Sequence, residues 1–363
     1  MLTSELDYHL PPELIAQRPV VPRDHSRLLI YNRSTRSMEH RRLPDFLAHL
    51  NPGDSLVYND SRVLRARVHA IKPTGGKVEL LFLQRRRPGL WEALVKPSAR
   101  LRAGAALELP PATEEQQSSF PQSTLPQTAS LLEDLKPGAI FTLRENLGGG
   151  RWLVKNMTGI TTEQLLEQIG EMPLPPYIKE QPDDPERYQT VYASETGSAA
   201  APTAGLHFTP ELIERARAMG ISLVPLTLHI GLDTFRPVSE DDLALHEIHS
   251  EHYLLPESSH DAILRTKERG GRVVAVGTTS VRVLETVFQE AYHRLEGETR
   301  LFITPGFEFR VTDALLTNFH LPRSTLLALV MAFAGVDETR NLYKEAIAEQ
   351  YRFFSFGDAM LLL

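Results

Sequence analysis

The sequence predicts an α/β protein: a larger α/β domain with a largely parallel sheet, and a small β-barrel domain inserted into it. Three observations predict this. From Thr161 onward, apolar strand-like runs alternate with helical segments, as in a layered α/β domain. From Val63 to Asn156 the runs are short and punctuated by Gly75-Gly76, Pro88-Gly89, Gly104 and Gly148-Gly149-Gly150, the rhythm of a small barrel or sandwich. The residues before that stretch resemble the α/β part. The chain is therefore expected to leave the larger domain near Asp60 and re-enter it near Met157. This gives 1–61 with 157–363 as the α/β catalytic domain and 62–156 as the inserted barrel. A length of 363 residues agrees with two domains.

The elements follow in order. Val63–Ala70 and Lys77–Leu83 alternate apolar with polar residues, and Leu90–Val95, Ala105–Leu109, Ala139–Leu143 and Arg151–Lys155 are further short strands. Within this region Pro110 to Ser130 is polar and rich in Pro, Gln, Ser and Thr, and is expected to be a disordered loop with no catalytic part. Thr209-Pro210-Glu211 opens a helix: a capping hydroxyl, a proline in the first turn, an acid at the positive dipole end. That helix stops at Gly220, and Ile221–Leu228 is a buried strand. Pro256–Arg269 is a helix closed by Gly270-Gly271. Arg272–Val276 is a strand, Val281–Leu295 a helix, Leu301–Ile303 a strand, and Thr325–Ala334 and Asp337–Gln350 the last helices. There are no internal repeats.

Composition narrows the class. Hydrophobic residues make up 42% and charged residues 23%, enough for a sizeable core. No apolar run has the length of a membrane span. The first ten residues carry Glu5 and Asp7 and lack the basic-then-apolar pattern of a leader, so a cytoplasmic protein is expected. The absence of cysteine excludes disulfides, thiolate metal sites, iron–sulfur clusters and a cysteine nucleophile. The net charge of −7 hides an asymmetry. Between Arg62 and Arg102, Glu79 and Glu92 are the only acids in a stretch crowded with Arg and Lys. Such a segment is either a phosphate-contacting surface or an ordinary solvated strand surface.

Four constellations could carry chemistry. Gly277-Thr278-Thr279-Ser280 follows a strand and opens a helix, where amides and hydroxyls suit a carboxylate or phosphate; the bland alternative is a well-capped helix. Gly197 to Phe208 consists mostly of tiny side chains and ends in His207-Phe208. Small residues admit a ligand close to the backbone, and the histidine is a candidate acid or base. His229 ends a strand in Thr227-Leu228-His229-Ile230-Gly231; a lone strand-end histidine is more often a hydrogen-bonded core group. Thr317-Asn318-Phe319-His320-Leu321-Pro322, preceded by Asp313, could bind a base edge or ribose hydroxyls. Arg62, Arg65 and Arg67 are candidate phosphate readers. His246, His249 and His252 lack the i, i+4 spacing of a metallopeptidase helix, so no metal site is expected. Ser198 lacks the Gly-x-Ser-x-Gly elbow of a hydrolase.

Taken in order, these segments resemble the S-adenosylmethionine:tRNA ribosyltransferase-isomerase family of queuosine biosynthesis, nearly end to end. The resemblance rests on Leu10-Pro11-Pro12-Glu13-Leu14-Ile15-Ala16, Tyr58-Asn59-Asp60-Ser61-Arg62-Val63, Met172-Pro173-Leu174-Pro175-Pro176-Tyr177-Ile178 and Tyr188-Gln189-Thr190-Val191-Tyr192. It continues through Ala200 to Phe208, Ala275 to Arg282, Asp313 to Ser324 and Tyr351 to Met360. Four features depart from the family pattern: Asp233 at a usual glycine, Thr304 and Phe356 at usual tyrosines, and an insertion at Pro110–Ser130.

The resemblance implies transfer and isomerisation of the ribosyl part of S-adenosylmethionine onto 7-aminomethyl-7-deazaguanine at the tRNA wobble position. Epoxyqueuosine-tRNA, adenine and methionine would be the products. It also implies an inserted barrel and no metal or other cofactor, S-adenosylmethionine being a co-substrate. A monomer is expected. On this reading His207 and His229 are the acid/base candidates, with Asp313 counted as catalytic beside Asn318 and His320 around the modified base or ribose. Gly277, Thr278 and Thr279 would lie at S-adenosylmethionine. Asn59, Asp60, Arg62, Thr203, Gly205 and Arg282 are further substrate-binding candidates, and Arg65, Arg67, Arg85, Arg86 and Arg87 are candidates for RNA contact. Two other classes compete: a tRNA-binding protein without chemistry, and an S-adenosylmethionine-dependent RNA methyltransferase, whose product would be S-adenosylhomocysteine.

Overall fold

The computed structural model describes residues 1–110, 140–180, 182, 184–231, 237–289 and 292–363. The chain divides into a larger unit, Met1–Val63 with Leu174–Leu363, and a smaller one, Leu64–Pro173. In chain order the larger unit begins with β1 (Arg27–Asn32), β2 (Ser37–Arg42), β3 (Ser55–Asn59) and β4 (Ser61–Val63). The smaller unit holds β5 (Arg67–Ile71), β6 (Lys77–Arg87), β7 (Leu90–Lys96), β8 (Ala106–Leu107), β9 (Phe141–Gly148), β10 (Arg151–Asn156) and helix α1 (Thr162–Ile169). The larger unit resumes with β11 (Glu195–Ser198), α2 (Pro210–Ala218), β12 (Ser222–Leu228), β13 (Glu251–Leu254), α3 (Glu257–Glu268) and β14 (Val273–Val276). It ends with α4 (Thr278–Gln289), β15 (Glu296–Thr299), β16 (Ala314–Asn318), α5 (Thr325–Ala334), α6 (Val336–Ala348) and β17 (Ala359–Leu362).

The large sheet has nine strands in the order β15-β13-β12-β3-β14-β16-β17-β1-β2. Period-two alternation divides its side chains between two cores. Leu28, Ile30, Leu56, Val274, Val276, Leu316 and Leu361 face one, packed by Phe46, Phe208 and Leu212 of α2. Leu29, Tyr31, Val57, Val273, Ala275, Leu315 and Met360 face the other, packed by Ile263 of α3, Val281 and Leu284 of α4, and residues of α5 and α6. A sheet covered on both faces gives near-continuous apolar strands, which is why Val273-Val274-Ala275-Val276 is legible in the sequence.

Strand direction departs from the expectation. Neighbours β12, β3, β14 and β16 are parallel, and so are β17 and β1. The pairs β16/β17, β12/β13, β13/β15 and β1/β2 are antiparallel. The sheet is mixed rather than largely parallel, because β17 enters antiparallel beside β16 and β13 and β15 extend one edge. Pro225, which has no N–H, is tolerated in β12 because β13 pairs only with Thr227 and Leu228 further along. Helix starts follow the sequence: Thr209 Oγ1 accepts from Leu212 N at 3.2 Å with Pro210 next in line, and Ser324 Oγ accepts from Leu327 N at 3.2 Å.

In the smaller unit six antiparallel strands run in the order β5-β6-β7-β10-β9-β8. Ile71 and Glu108 exchange two backbone hydrogen bonds of 2.8 Å, bringing the two edges together into a nearly closed barrel. Phe82, Val95, Leu107, Phe141, Trp152 and Val154 are buried in it. This unit also takes in α1, capped by Thr161 and Gln164, where the sequence places the exit near Met157. The single strand expected over Val63–Ala70 is two: β4 ends at Val63 and pairs with β11, and β5 starts at Arg67. Ala105–Leu109 shrinks to the two residues of β8. The strand expected at Leu301–Ile303 lies instead at β15, and α4 begins at Thr278 rather than Val281. Residues 111–130 of the expected loop lie outside the described residues.

Asp54 holds the starts of two central strands together. Its carboxylate accepts from Asn51 N (2.9 Å), Arg272 N (2.8 Å) and the Arg272 guanidinium (2.7 Å). Burial pushes its pKa up, but Arg272 and the two amides outweigh burial and leave it below the usual carboxylate value. A depressed acid stabilises the fold above its unfolded pKa and loses that contribution as pH falls through the folded one. Asp54→Asn should cost about 3 kcal/mol in urea unfolding at pH 7, since it leaves Arg272 without its counter-charge. The deficit should stay constant from pH 8 to 5 and narrow below about pH 4. A deficit independent of pH down to 3 would contradict this account.

Candidate active site

The carboxyl ends of β12, β3, β14 and β16 lie side by side, the place where α/β sheets bind ligands. They deliver His229, Asn59-Asp60, Gly277-Thr278-Thr279 and Asn318. The small-residue segment closes over them. Ala199 N donates to Ile230 O (3.0 Å), Ile230 N donates to Ser198 Oγ (3.0 Å), and Ser198 Oγ donates to Ala200 O (2.6 Å). Gly197 lies against the His229 ring, where a Cβ would come within 2.8 Å of an imidazole carbon. The short helix Thr203–His207 then carries His207 to Asn318.

The two histidines differ in kind. His207 is buried with both ring nitrogens engaged. Asn318 Nδ2 donates to Nε2 at 3.0 Å, and Nδ1 is 2.8 Å from Ser26 Oγ. Ser26 donates its own proton to Arg23 O at 3.1 Å, so its oxygen accepts from a protonated Nδ1. Burial, with a smaller push from Arg352, lowers the His207 pKa to about 3. It is a neutral, fully bonded imidazole. His229 donates its backbone N–H to His252 O (3.0 Å) and its ring stacks on His252 at 6.0 Å between centroids. Its Nδ1 is buried with no hydrogen-bond partner, and burial together with His252 lowers its pKa to about 4. His229 therefore offers an unengaged basic nitrogen and His207 does not. The third histidine, His320, is buried, with Nε2 at 2.9 Å from Thr317 Oγ1 and its pKa lowered to about 3 by burial.

Asn59 is a support rather than an open contact. Its Nδ2 donates to Leu228 O (3.1 Å), and its Oδ1 accepts from Leu228 N (3.1 Å) and Ser61 N (3.0 Å). Asp60 is different. Thr227 Oγ1 donates to one carboxylate oxygen at 2.7 Å and Ser194 Oγ to the other at 3.3 Å. Burial raises its pKa, and no Lys or Arg among the described residues pairs with it. Gly277 takes a left-handed φ of 85°, open to glycine at little cost, and its N–H donates to Leu316 O at 2.7 Å. Thr278 and Thr279 are buried at the start of α4, and the Thr279 hydroxyl has no partner.

Other candidates do not join this group. Asp313 precedes β16 at the opposite end of the sheet, five residues from Asn318, or roughly 16 Å at about 3.3 Å per residue. It accepts from Lys267 Nζ at 2.8 Å and Val273 N at 2.7 Å, a clamp on the start of β14. Gly205 is a packing position, where a Cβ would strike the Tyr192 hydroxyl at 2.1 Å. Thr203 begins the short helix that positions His207. Arg282 is buried in an ion pair with Glu251, whose other oxygen accepts from Gly231 N at 2.8 Å. Arg62 is held by both Glu186 oxygens at 2.9 Å. In the smaller unit Arg65, Arg67, Arg85 and Arg86 face Glu167, Glu79, Glu163 and Glu92, while Arg87 has no carboxylate partner among the described residues. His246 and His252 face separate acids, Glu240 and Glu296. Asp233 lies outside the described residues. Ser26 and Glu251 were not anticipated: neither stands in a motif, and only the fold brings them to His207 and Arg282. A cavity of about 300 Å3 between Tyr8 and α5 and α6 receives none of these strand-end residues.

The profile of a family described as queuosine biosynthesis proteins matches residues 3–362. An S-adenosylmethionine:tRNA ribosyltransferase-isomerase of Staphylococcus haemolyticus is 47% identical over 366 residues, covering 100% of each chain. One of Staphylococcus saprophyticus is 48% identical over 360 residues, covering 98% of each. A solved S-adenosylmethionine tRNA ribosyltransferase from Thermotoga maritima is 37% identical, covers 99% of this chain and 100% of its own, and superposes with a TM-score of 0.54.

The buried neutral histidines have a measurable consequence. Each binds a proton in the unfolded chain below about pH 6.5 but not in the folded one, so stability falls as pH drops below that value. The slope is about 1.4 kcal/mol per pH unit for each. Replacing His207 with Gln should flatten the pH dependence of urea unfolding between pH 6.5 and 5 by about one such increment. An unchanged slope would mean that His207 is protonated in the native state.

Proposed function

The chain belongs to the family of queuosine biosynthesis proteins, and we propose that it is an S-adenosylmethionine:tRNA ribosyltransferase-isomerase. It transfers the ribosyl part of S-adenosylmethionine to the aminomethyl group of 7-aminomethyl-7-deazaguanine at the tRNA wobble position. Isomerisation of that group to an epoxycyclopentanediol gives epoxyqueuosine, and adenine and methionine leave. The observation that carries this reading is the group at the strand ends: an unengaged imidazole nitrogen, an unpartnered hydroxyl and a carboxylate without a cation, in a buried setting.

The chemistry gives these groups work. The sulfonium acidifies the C5′ hydrogens, so a neutral base beside it can begin the reaction. His229 is the base we assign, because its Nδ1 needs to break no hydrogen bond first. Asp60 suits a cationic substrate, since an arriving sulfonium supplies the counter-charge its surroundings lack. We assign the Thr279 hydroxyl and the first amides of the helix at Thr278 and Thr279 to the amino-acid carboxylate of S-adenosylmethionine, with Gly277, whose N–H is already given to Leu316 O, making the turn before them. His207 acts by holding Asn318. Asn318 and His320 are assigned to the acceptor base or its ribose. No further cofactor or metal is assigned, and the enzyme is proposed to act as a cytoplasmic monomer. For tRNA contact Arg87 leads; Arg65, Arg67 and Arg85 would exchange at least partly exposed carboxylate partners, a swap that costs about 1 kcal/mol or less each, whereas Arg86 is held by the buried Glu92.

Two measurements test this. Mass spectrometry after incubation with S-adenosylmethionine and tRNA carrying the aminomethyl-deazaguanine should find adenine, methionine and epoxyqueuosine. S-adenosylhomocysteine would instead mark a methyltransferase, and tRNA binding with no product a binding protein. His229→Ala should lower kcat by roughly 100-fold or more while the melting temperature holds; unchanged turnover would remove His229 as the base. Separately, Arg87→Glu should weaken tRNA binding and reduce the salt slope by about one counterion.

A further inference from the structure

The far face of the same strand ends holds a cavity of about 210 Å3 that no part of the mechanism uses. Its walls are the rings of Tyr58, Tyr192 and Phe208, with Leu56 and Val276 below and Ile213 of α2 at the side. Tyr58 and Tyr192 lie 4.3 Å apart between centroids and Tyr192 and Phe208 6.1 Å apart. Pockets that enclose a whole drug-sized ligand run to roughly 300–1,000 Å3. This one has room for a single ring system of a larger molecule.

The rim adds the polar half of a recognition site. Glu214 and Arg217, one helical turn apart on α2, line the cavity and, among the described residues, form an ion pair only with each other, at an exposed position. An exposed pair of this kind is worth about 1 kcal/mol or less, so it opens cheaply. A carboxylate accepts from ring or exocyclic N–H groups, and a guanidinium donates to a ring nitrogen or carbonyl oxygen. Aromatic walls with one acceptor and one donor at the mouth match the face and edge of a purine-type base. The location agrees: Tyr58 and Val276 each stand within two residues of Asp60 and Gly277, so the cavity adjoins the proposed reaction site.

Building on the proposed reaction, we infer that the cavity bounded by Tyr58, Tyr192, Phe208, Ile213, Glu214 and Arg217 binds a purine-type base. Stacking on its aromatic walls supplies affinity, and the Glu214–Arg217 pair opens to read the base edge. That reaction offers two sources of such a base: the adenine of S-adenosylmethionine, and the deazaguanine of the tRNA.

Ile213→Trp, which fills the cavity from α2, and Glu214→Gln, at an exposed position, separate them. Both variants should raise the KM of one substrate by at least fivefold and leave the other within twofold. A rise for S-adenosylmethionine assigns the cavity to adenine, and a rise for tRNA assigns it to the deazaguanine. Saturation-transfer NMR with free adenine and free 7-deazaguanine gives a readout independent of turnover. One of them should bind the wild-type protein and lose its signal in Ile213→Trp, with the circular dichroism spectrum retained. If neither base binds and any measurable KM stays within twofold in both variants, the inference is wrong. Base binding by a wild-type protein that forms no adenine or methionine from its substrates would instead overturn the proposed reaction and leave this site standing.

Discussion

Asn59 closes a central parallel strand with a side chain that acts as backbone. Its carboxamide donates to Leu228 O and accepts from Leu228 N and Ser61 N, so the ladder between β3 and β12 continues past the last main-chain pair. The residue is fully buried, and an apolar replacement would strand two amides and a carbonyl, each costing about 1–3 kcal/mol. Everything that faces the candidate site from this half of the sheet depends on that clamp. It sets Asp60 against Thr227 and turns the chain into β4, which pairs with β11. Beyond β11, the small-residue segment runs to His207. Asp54 does the equivalent work at the other end of β3, so the strand is pinned to its neighbours at both ends by buried polar side chains.

The division of labour between the histidines follows from hydrogen-bond supply rather than residue type. All three of His207, His229 and His320 are lowered well below an ordinary histidine by burial. Burial alone makes a neutral imidazole, not a base. What separates them is that Ser26 and Asn318 occupy both nitrogens of His207, while the ring of His229 meets Gly197 and His252 without a partner for Nδ1. A proton arriving at His207 would have to displace the Asn318 amide, whose two N–H groups are both committed, one to His207 and one to Phe354 O. The network makes His207 a rigid post between the N-terminal segment, the small-residue segment and the end of β16.

Much of this was legible in the sequence, and the limits have physical causes. The run Val273–Val276, the capped start at Thr209 and the glycine-punctuated strands of the smaller unit carry their signals locally, in periodicity and turn chemistry. Strand direction does not: periodicity reports which faces are buried, and β17 has the same apolar pattern whether it runs with β16 or against it. The motifs marking Asn59, Gly277, His229 and Asn318 meet at one end of the sheet because each ends or follows its strand. Asp313 does not join them, for the complementary reason. It stands five residues from Asn318 in sequence, but those residues form β16, and an extended strand carries its two ends to opposite edges of the layer. Ser26, Glu251 and the Tyr58–Tyr192 wall are contacts between distant segments, which no local pattern encodes.

The charge balance at the strand ends argues for the sign of the substrate. The nearby buried ion pair is balanced in charge: Arg282 is matched by Glu251. Asp60 is the exception, with hydroxyl donors but no cation among the described residues, and burial raises its pKa. A carboxylate in that state is stabilised by any positive charge brought beside it. At about 4 Å and an effective dielectric constant of about 20, the attraction is on the order of 4 kcal/mol and opposes the desolvation that raises its pKa. A neutral ligand could offer it only a hydrogen bond, and an anion would be repelled. A sulfonium meets the condition without bringing a proton that could neutralise the acid. The same cation lowers the cost of removing a hydrogen from the carbon next to it.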